Sequence, residues 1–218
     1  MKEDERYNRE EFDREYFEQG PMTGKSLYTN YRWLPELTLP MCHHLITYFG
    51  ITADARILDF GCAKGYSVHG LRMLGYEAYG VDVSEYAISK APKEVNGYVK
   101  KIEPFEPLNA QFDWIICKDI LEHLPYDKID EQLQIFAESL HGIGGLIVMV
   151  PLGDGEKYYI DAYENDATHI IRENLQWWTD KLTKNGLNVE IASNDMGPFK
   201  KNWQIDALGN GLFLAYSF

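Results

Sequence analysis

The sequence lacks long apolar runs, paired cysteines, an excess of positive charge and any internal repeat, and each absence excludes a class of protein. The longest aliphatic stretch, Leu146 to Val150, is far shorter than the roughly 20 apolar residues that cross a bilayer, so no membrane partner is expected. The opening MKEDERYNREEFDRE has no apolar stretch behind a basic start, so a secretory leader is not expected. Only Cys42, Cys62 and Cys117 are present; the odd count and the spacing argue against a disulfide scaffold and for a reducing, cytoplasmic compartment. Lysine and arginine number 21 against 34 acids, a net charge of -13, which repels a nucleic acid at long range. The six histidines show no metal-binding spacing, and no metal is expected.

What is present is material for a core, 45% hydrophobic residues in a chain of 218, and a regular alternation of short apolar runs with helical spacing. Residues 1–32 are charged and aromatic, with Gly20-Pro21 and Gly24 as breakers, and read as an irregular or partly helical arm. A helix is predicted from about Leu34 to Phe49, closed by Gly50. Residues 1–50 are therefore taken as an arm and helix able to cover a substrate, and 51–218 as the main domain.

Within that domain, strands are predicted at 56–60, 77–83, 97–102, 112–117, 144–150, 187–192 and 211–218. Helices follow the first, second, fourth and fifth strands; the last two strands have none between them and are expected to pair antiparallel. Ser84 can cap the helix after the second strand and Pro92 limits it. Ile129, Leu133, Phe136 and Leu140 mark one helical face; Ile171, Leu175, Trp178 and Leu182 mark another. The pattern implies an α/β fold, a mostly parallel sheet with helices on both faces, and a ligand site just beyond the strand ends.

Those ends carry the chemistry. In ILDFGCAKGY, Asp59 closes the first strand, where an acid can meet a cationic amine, and Gly61 and Gly65 let the backbone turn sharply beside a ligand. Asp82 closes the second strand, where a carboxylate can accept hydrogen bonds from a ribose diol. A nicotinamide dinucleotide enzyme fits this turn poorly: the fingerprint G-x-G-x-x-G would fall on Gly61, Ala63 and Tyr66, and Tyr66 crowds the helix approach.

ILDFGCAKGY, followed by GVDVS, FDWIICKDILEHLP and GGLIVMVP, resembles the ordered motifs of class I S-adenosylmethionine-dependent methyltransferases of the small-molecule type. The resemblance runs from about Ala55 to Phe218 and implies a Rossmann-like seven-stranded sheet with an antiparallel C-terminal pair. It implies S-adenosyl-L-methionine as cofactor and S-adenosyl-L-homocysteine as product. Asp59, Gly61, Cys62 and Gly65 would line the methionine moiety, Asp82 would hold the ribose, Val83 would pack on adenine and Lys118 would lie beside the sulfonium. Ala63 stands where the family commonly has glycine. Where it often has an acid for the adenine amine, this chain has Lys101 or Ile102, so backbone groups would serve there.

Two imidazoles are candidates for accepting an acceptor proton: His123, after the fourth strand, and His169, after the fifth. Each also reads as a residue that fixes its own loop. His43 and His44 read as surface residues of the N-terminal helix. Tyr28, Tyr31 and Trp33 read either as a lid or as packing. The expected activity is methyl transfer to a small or medium-sized acceptor, with oxygen the attacked atom; the alternative is a cofactor-binding partner subunit without turnover. A homodimer is left open.

Overall fold

A computed structural model of the protein describes residues 7–141, 144–194 and 209–217. The arm holds a 3-10 turn, Arg9–Glu11, and helix α1 (Arg14–Thr23); α2 (Pro35–Phe49) follows. The sheet and its crossings are then β1 (Arg56–Phe60), α3 (Tyr66–Met73), β2 (Glu77–Asp82), α4 (Glu85–Ser89), β3 (Val99–Lys101) and β4 (Trp114–Lys118). They continue through α5 (Ile129–Ser139), β5 (Leu146–Pro151), α6 (Leu175–Lys184), β6 (Leu187–Ser193) and β7 (Asn210–Ser217). Strand order is β3-β2-β1-β4-β5-β7-β6, parallel except for β7, which runs antiparallel to both β5 and β6. This is the Rossmann-like seven-stranded arrangement expected.

The sheet is buried on both faces, and the period-2 alternation of each strand assigns its side chains. Leu58, Phe60, Ile115, Cys117 and Val148 face one way and meet Leu133, Phe136, Trp178 and Leu182 of α5 and α6. Ile57, Ile116, Ile147 and Met149 face the other way and meet Cys42, Leu45, Val68 and Leu71 of α2 and α3. Phe136 is fully buried, so its truncation to alanine costs about 3–5 kcal/mol. A third, small cluster joins Tyr16 and Phe17 of α1 to Ala87 of α4, seating the arm over the sheet's edge.

Several boundaries differ from the sequence reading. Ile171 is not helical: α6 starts at Leu175, because the Asn174 side chain accepts from Trp177 N and caps the helix there. Ile171 instead donates its backbone N–H to Glu122 O at 2.9 Å. The third strand is shorter than expected, Val99–Lys101. The ends of the arm and of the last strand, residues 1–6 and 218, lie outside the described residues. Among the described residues no helix is long and apolar enough to cross a membrane.

Strand order reverses between β1, which continues to β2 and β3, and β4, which continues to β5. The connections leaving the carboxyl ends of β1 and β4 therefore run in opposite directions and leave a crevice at that point.

Candidate active site

The turn leaving β1 is built by backbone. Gly61, at φ 78°, and Cys62 both donate their N–H groups to Val81 O, at 2.8 and 3.0 Å, which ties the turn to β2. A Cβ on Gly61 would fall 2.1 Å from Ile120 Cδ1, so side-chain-free backbone is required there. Asp82 bridges two turns: Oδ2 accepts from Ala63 N and Oδ1 from Ser84 N, each at 2.7 Å. Ser84 in turn caps α4 through Ala87 N, as expected.

Above this turn lies a cavity whose floor and walls include Asp59, Gly61, Cys62, Asp82, Val83, Ile102 and Lys118. Seven of the eight sequence-predicted cofactor residues thus share one cavity. The eighth, Gly65, stands behind it as the left-handed head of α3 (φ 72°), where a Cβ would press on Val99 Cγ1 at 2.9 Å. Near the expected adenine position, Ile102, Pro104 and Phe105 present apolar surface, and Lys101 turns away to pair with Glu103 at 2.6 Å.

Two buried carboxyl groups line the cavity. Burial raises Asp59, only 6% exposed, to about 7; the Lys118 charge opposes that rise and Asp82 adds to it. Burial likewise raises Asp82 to about 6 against the backbone N–H groups that favour its charged form. Lys118 is not a lone cation in the cavity, since its Nζ lies 2.5 Å from Asp119 Oδ2.

His123 sits in the 3-10 turn Leu121–His123 and is 7% exposed. It forms part of the wall between the cavity and a second hollow that His169 lines. The two imidazole rings stand 4.6 Å apart at 62°. Neighbouring bonds fix which nitrogen of each carries hydrogen. The single proton of the Thr168 hydroxyl goes to Asp166 Oδ1 at 2.6 Å, so at 2.8 Å His123 Nδ1 must be the donor to Thr168 Oγ1. His169 Nδ1 lies 3.0 Å from Tyr163 O, a group that only accepts. The neutral form of each ring therefore carries its lone pair on Nε2, and the His123 ring also makes a hydrogen bond with the Asp119 backbone. Burial, reinforced by the neighbouring His123, pushes the His169 pKa down to about 3, and burial also lowers that of His123.

Sequence spacing missed what the fold assembles here. Glu122, 0% exposed, brings its Oε1 to 4.0 Å from His169 Nε2. Glu122, His123 and His169 each place a ligand atom within 4.8 Å of the other two, a cluster whose geometry could hold a metal ion and which histidine spacing in the sequence does not reveal. The backbone explains it: Ile170 N and Ile171 N both donate to Glu122 O, clamping the two segments together. His43 is exposed and His44 stacks on Tyr48, as surface residues of α2.

The arm closes the cavity from above. Phe12 meets the His123 ring edge-on at 5.4 Å, and Tyr16, Phe17, Tyr28 and Tyr31 complete the cover. Polar contacts help to hold it. The Tyr16 hydroxyl donates to Asp166 Oδ2 at 2.9 Å, Ser84 Oγ to Phe12 O at 2.5 Å, and Lys64 Nζ to Glu18 Oε1 and Tyr31 O at 2.5 and 2.6 Å. Lys64, from the glycine turn itself, is a contact that no local pattern announces.

A family profile described as a methyltransferase domain matches residues 36–191. A ubiquinone biosynthesis O-methyltransferase of Alkalilimnicola ehrlichii is 30% identical over 116 residues, covering 49% of this chain and 45% of that protein. Its counterpart in Azoarcus sp. (strain BH72) is 32% identical over 81 residues, 34% of this chain and 35% of that one; the chain thus matches less than half the length of each. In three dimensions the chain is similar to an S-adenosylmethionine-dependent methyltransferase from Archaeoglobus fulgidus, with a TM-score of 0.63 at 20% identity over 84% of this chain and 94% of that one. The chain belongs to the class I S-adenosylmethionine-dependent methyltransferases.

Proposed function

We propose that this methyltransferase acts on a hydroxyl of a small or medium-sized acceptor, held between the cofactor and the arm. In this reading Asp59 and the Gly61–Cys62 backbone receive the amino-acid end of S-adenosyl-L-methionine. Asp82 receives the ribose: each of its oxygens accepts one backbone N–H and keeps a lone pair for a hydroxyl. Val83 and Ile102 flank the adenine, and Lys118, neutralised by Asp119, borders the sulfonium without repelling it strongly. Gly65 acts at a distance, by setting the turn. Residues 1–50 serve as the cover and 51–218 as the cofactor-binding domain.

One observation carries the choice of oxygen: His123, with its Nδ1 proton committed to Thr168, stands in the cavity wall beside the cofactor residues with the Nε2 lone pair as its one site for a proton. An amine nucleophile attacks as the free base, whereas a hydroxyl gains greatly from losing its proton. When bound, S-adenosyl-L-methionine would supply the activated methyl group; the part of this chain would be to align the acceptor hydroxyl with it and to take up, at His123, the proton that the hydroxyl gives up. Alignment under the aromatic cover supplies much of the rest, as oriented reactants gain up to about 7–11 kcal/mol. The partial similarity to O-methyltransferases supports the same atom.

The test is calorimetric titration of wild type and Asp82→Ala with S-adenosylmethionine and, separately, NADH, followed by an acceptor screen read as S-adenosylhomocysteine release. Binding that weakens in the variant, with turnover on hydroxylated compounds, is the expected result. Turnover confined to amines or thiols would overturn the choice of oxygen.

A further inference from the structure

We infer that Glu122, His123 and His169 form a binding site for a single first-row divalent cation, placed so that the acceptor's oxygen completes its coordination. The metal site stands on its own geometry; the role given to the acceptor rests on the methyltransferase reading above.

Four features of the cluster support it. The donor set is two imidazoles and one carboxylate, a combination suited to zinc, iron, cobalt or nickel, and less to magnesium or calcium, which prefer all-oxygen shells. Both histidines are already oriented as ligands: each commits Nδ1 to an acceptor, His123 to Thr168 and His169 to Tyr163 O, leaving Nε2 to coordinate. The Thr168 hydroxyl is itself anchored on Asp166, so an outer carboxylate stands behind His123.

The spacing also suits an ion. His169 Nε2 and Glu122 Oε1, at 4.0 Å, are too far apart to hydrogen-bond directly. They are within the roughly 4.2 Å that one ion, bonded at about 2.1 Å on each side, can bridge. The widest pair in the cluster, no more than 4.8 Å apart, has to close by only a fraction of an ångström. Rigid backbone holds the three together, because Glu122 O accepts from both Ile170 N and Ile171 N. Finally, there is a route in and an open side. The second hollow, lined by His123 and His169, gives entry, and His123 also reaches the cofactor cavity. An ion there could meet an acceptor hydroxyl on the cavity side of His123 and would lower that hydroxyl's pKa.

The experiment titrates Co²⁺ into chelator-stripped full-length protein, with visible absorption and proton NMR as readouts. The expected result is one equivalent bound and two contact-shifted imidazole N–H signals, one from each Nδ1 proton. Glu122→Gln and His169→Ala should each weaken cobalt binding by more than about 100-fold, beyond the usual cost of losing an outer partner. Their S-adenosylmethionine binding, measured in parallel, should be retained. Sub-stoichiometric uptake by wild type, a signal count other than two, or unchanged affinity in both variants would overturn the site. Should a variant lose cofactor binding through misfolding, the wild-type signal count decides. Cobalt uptake without cofactor binding would sink the methyltransferase reading alone; cofactor binding without cobalt uptake would sink the metal site alone.

Discussion

His123 and Thr168 are joined by a 2.8 Å hydrogen bond, imidazole Nδ1 to hydroxyl Oγ1, across 45 positions of sequence. That bond decides which face of the imidazole is available to the cavity. Replacing Thr168 with valine keeps the shape and removes the acceptor, leaving the ring free to adopt the other tautomer. We expect turnover to fall by about 10–100-fold, the usual cost of losing an orienting partner, with S-adenosylmethionine affinity unchanged. Thr168→Ser should restore most of it. Nitrogen NMR of the histidine side chains checks the cause directly: His123 should be Nδ1-protonated in wild type and mixed in the valine variant.

Asp59 and Asp82 give the cofactor site its pH dependence. Their pKa values, raised to about 7 and about 6, exceed the ordinary carboxylate value of about 4. Between those limits the folded protein holds protons that the unfolded chain has released. These groups therefore favour the folded cofactor-free protein at low pH, and that contribution is lost as pH rises through about 7. Cofactor binding has the opposite sign, because an ammonium group and ribose hydroxyls favour the ionised carboxylates. Affinity for S-adenosylmethionine should be about 10-fold weaker at pH 6 than at pH 8. Calorimetry near pH 6.5 in buffers of different ionisation enthalpy should report proton release on binding; proton uptake would refute the assigned roles.

How far the sequence discloses the site depends on whether the relevant contact is local. The turn after β1 and the cap at Ser84 are legible because glycine conformation and capping act over a few residues. Asp59 and Asp82 are legible because they end apolar runs that can only be strands. Glu122 and His123 come from the connection after β4 and His169 from the one after β5, and the bonds that unite the two run from Ile170 N and Ile171 N to Glu122 O, which no spacing encodes. Ile171 misled for a related reason: its four-residue step to Leu175 imitates a helical face, but Asn174 caps between them and the side chain is buried from an extended segment. The Lys64–Glu18 pair is equally hidden, since a lysine in a glycine turn carries no local signal of its partner.

Ala63 is held at φ 49°, a left-handed conformation that costs a residue with a Cβ roughly 1–2 kcal/mol. Phe105 and Asp119, at 59° and 56°, share that conformation and line the same cavity, so three of the five left-handed non-glycine residues among the described residues border it. Ala63→Gly should relieve its share while keeping the N–H bond to Asp82. Part of the gain is offset by the extra freedom that glycine gives the unfolded chain. A net stabilisation of about 0.5–1 kcal/mol is expected, which raises Tm by about 1–4 °C in a chain of this size. Thermal unfolding of cofactor-free protein checks it; a lowered Tm would mean that the methyl group's packing outweighs the backbone strain.

Glu18 and Lys64 tie the arm to the glycine turn, and their side chains are only 19% and 7% exposed. An ion pair sheltered to that degree is screened less than a surface pair, and removing one charge leaves the other poorly compensated. Glu18→Gln preserves volume and still accepts from Lys64, but without full charge. The sheet core does not depend on this contact, so Tm should change little. The arm should open more often, and since it covers the cavity, release of S-adenosylmethionine should speed up several-fold. Stopped-flow displacement monitored by intrinsic fluorescence measures that rate, and limited proteolysis should show faster cleavage between residues 9 and 31. Unchanged release with faster cleavage would separate the two roles, leaving the arm as packing over the acceptor side and not as the cover of the cofactor.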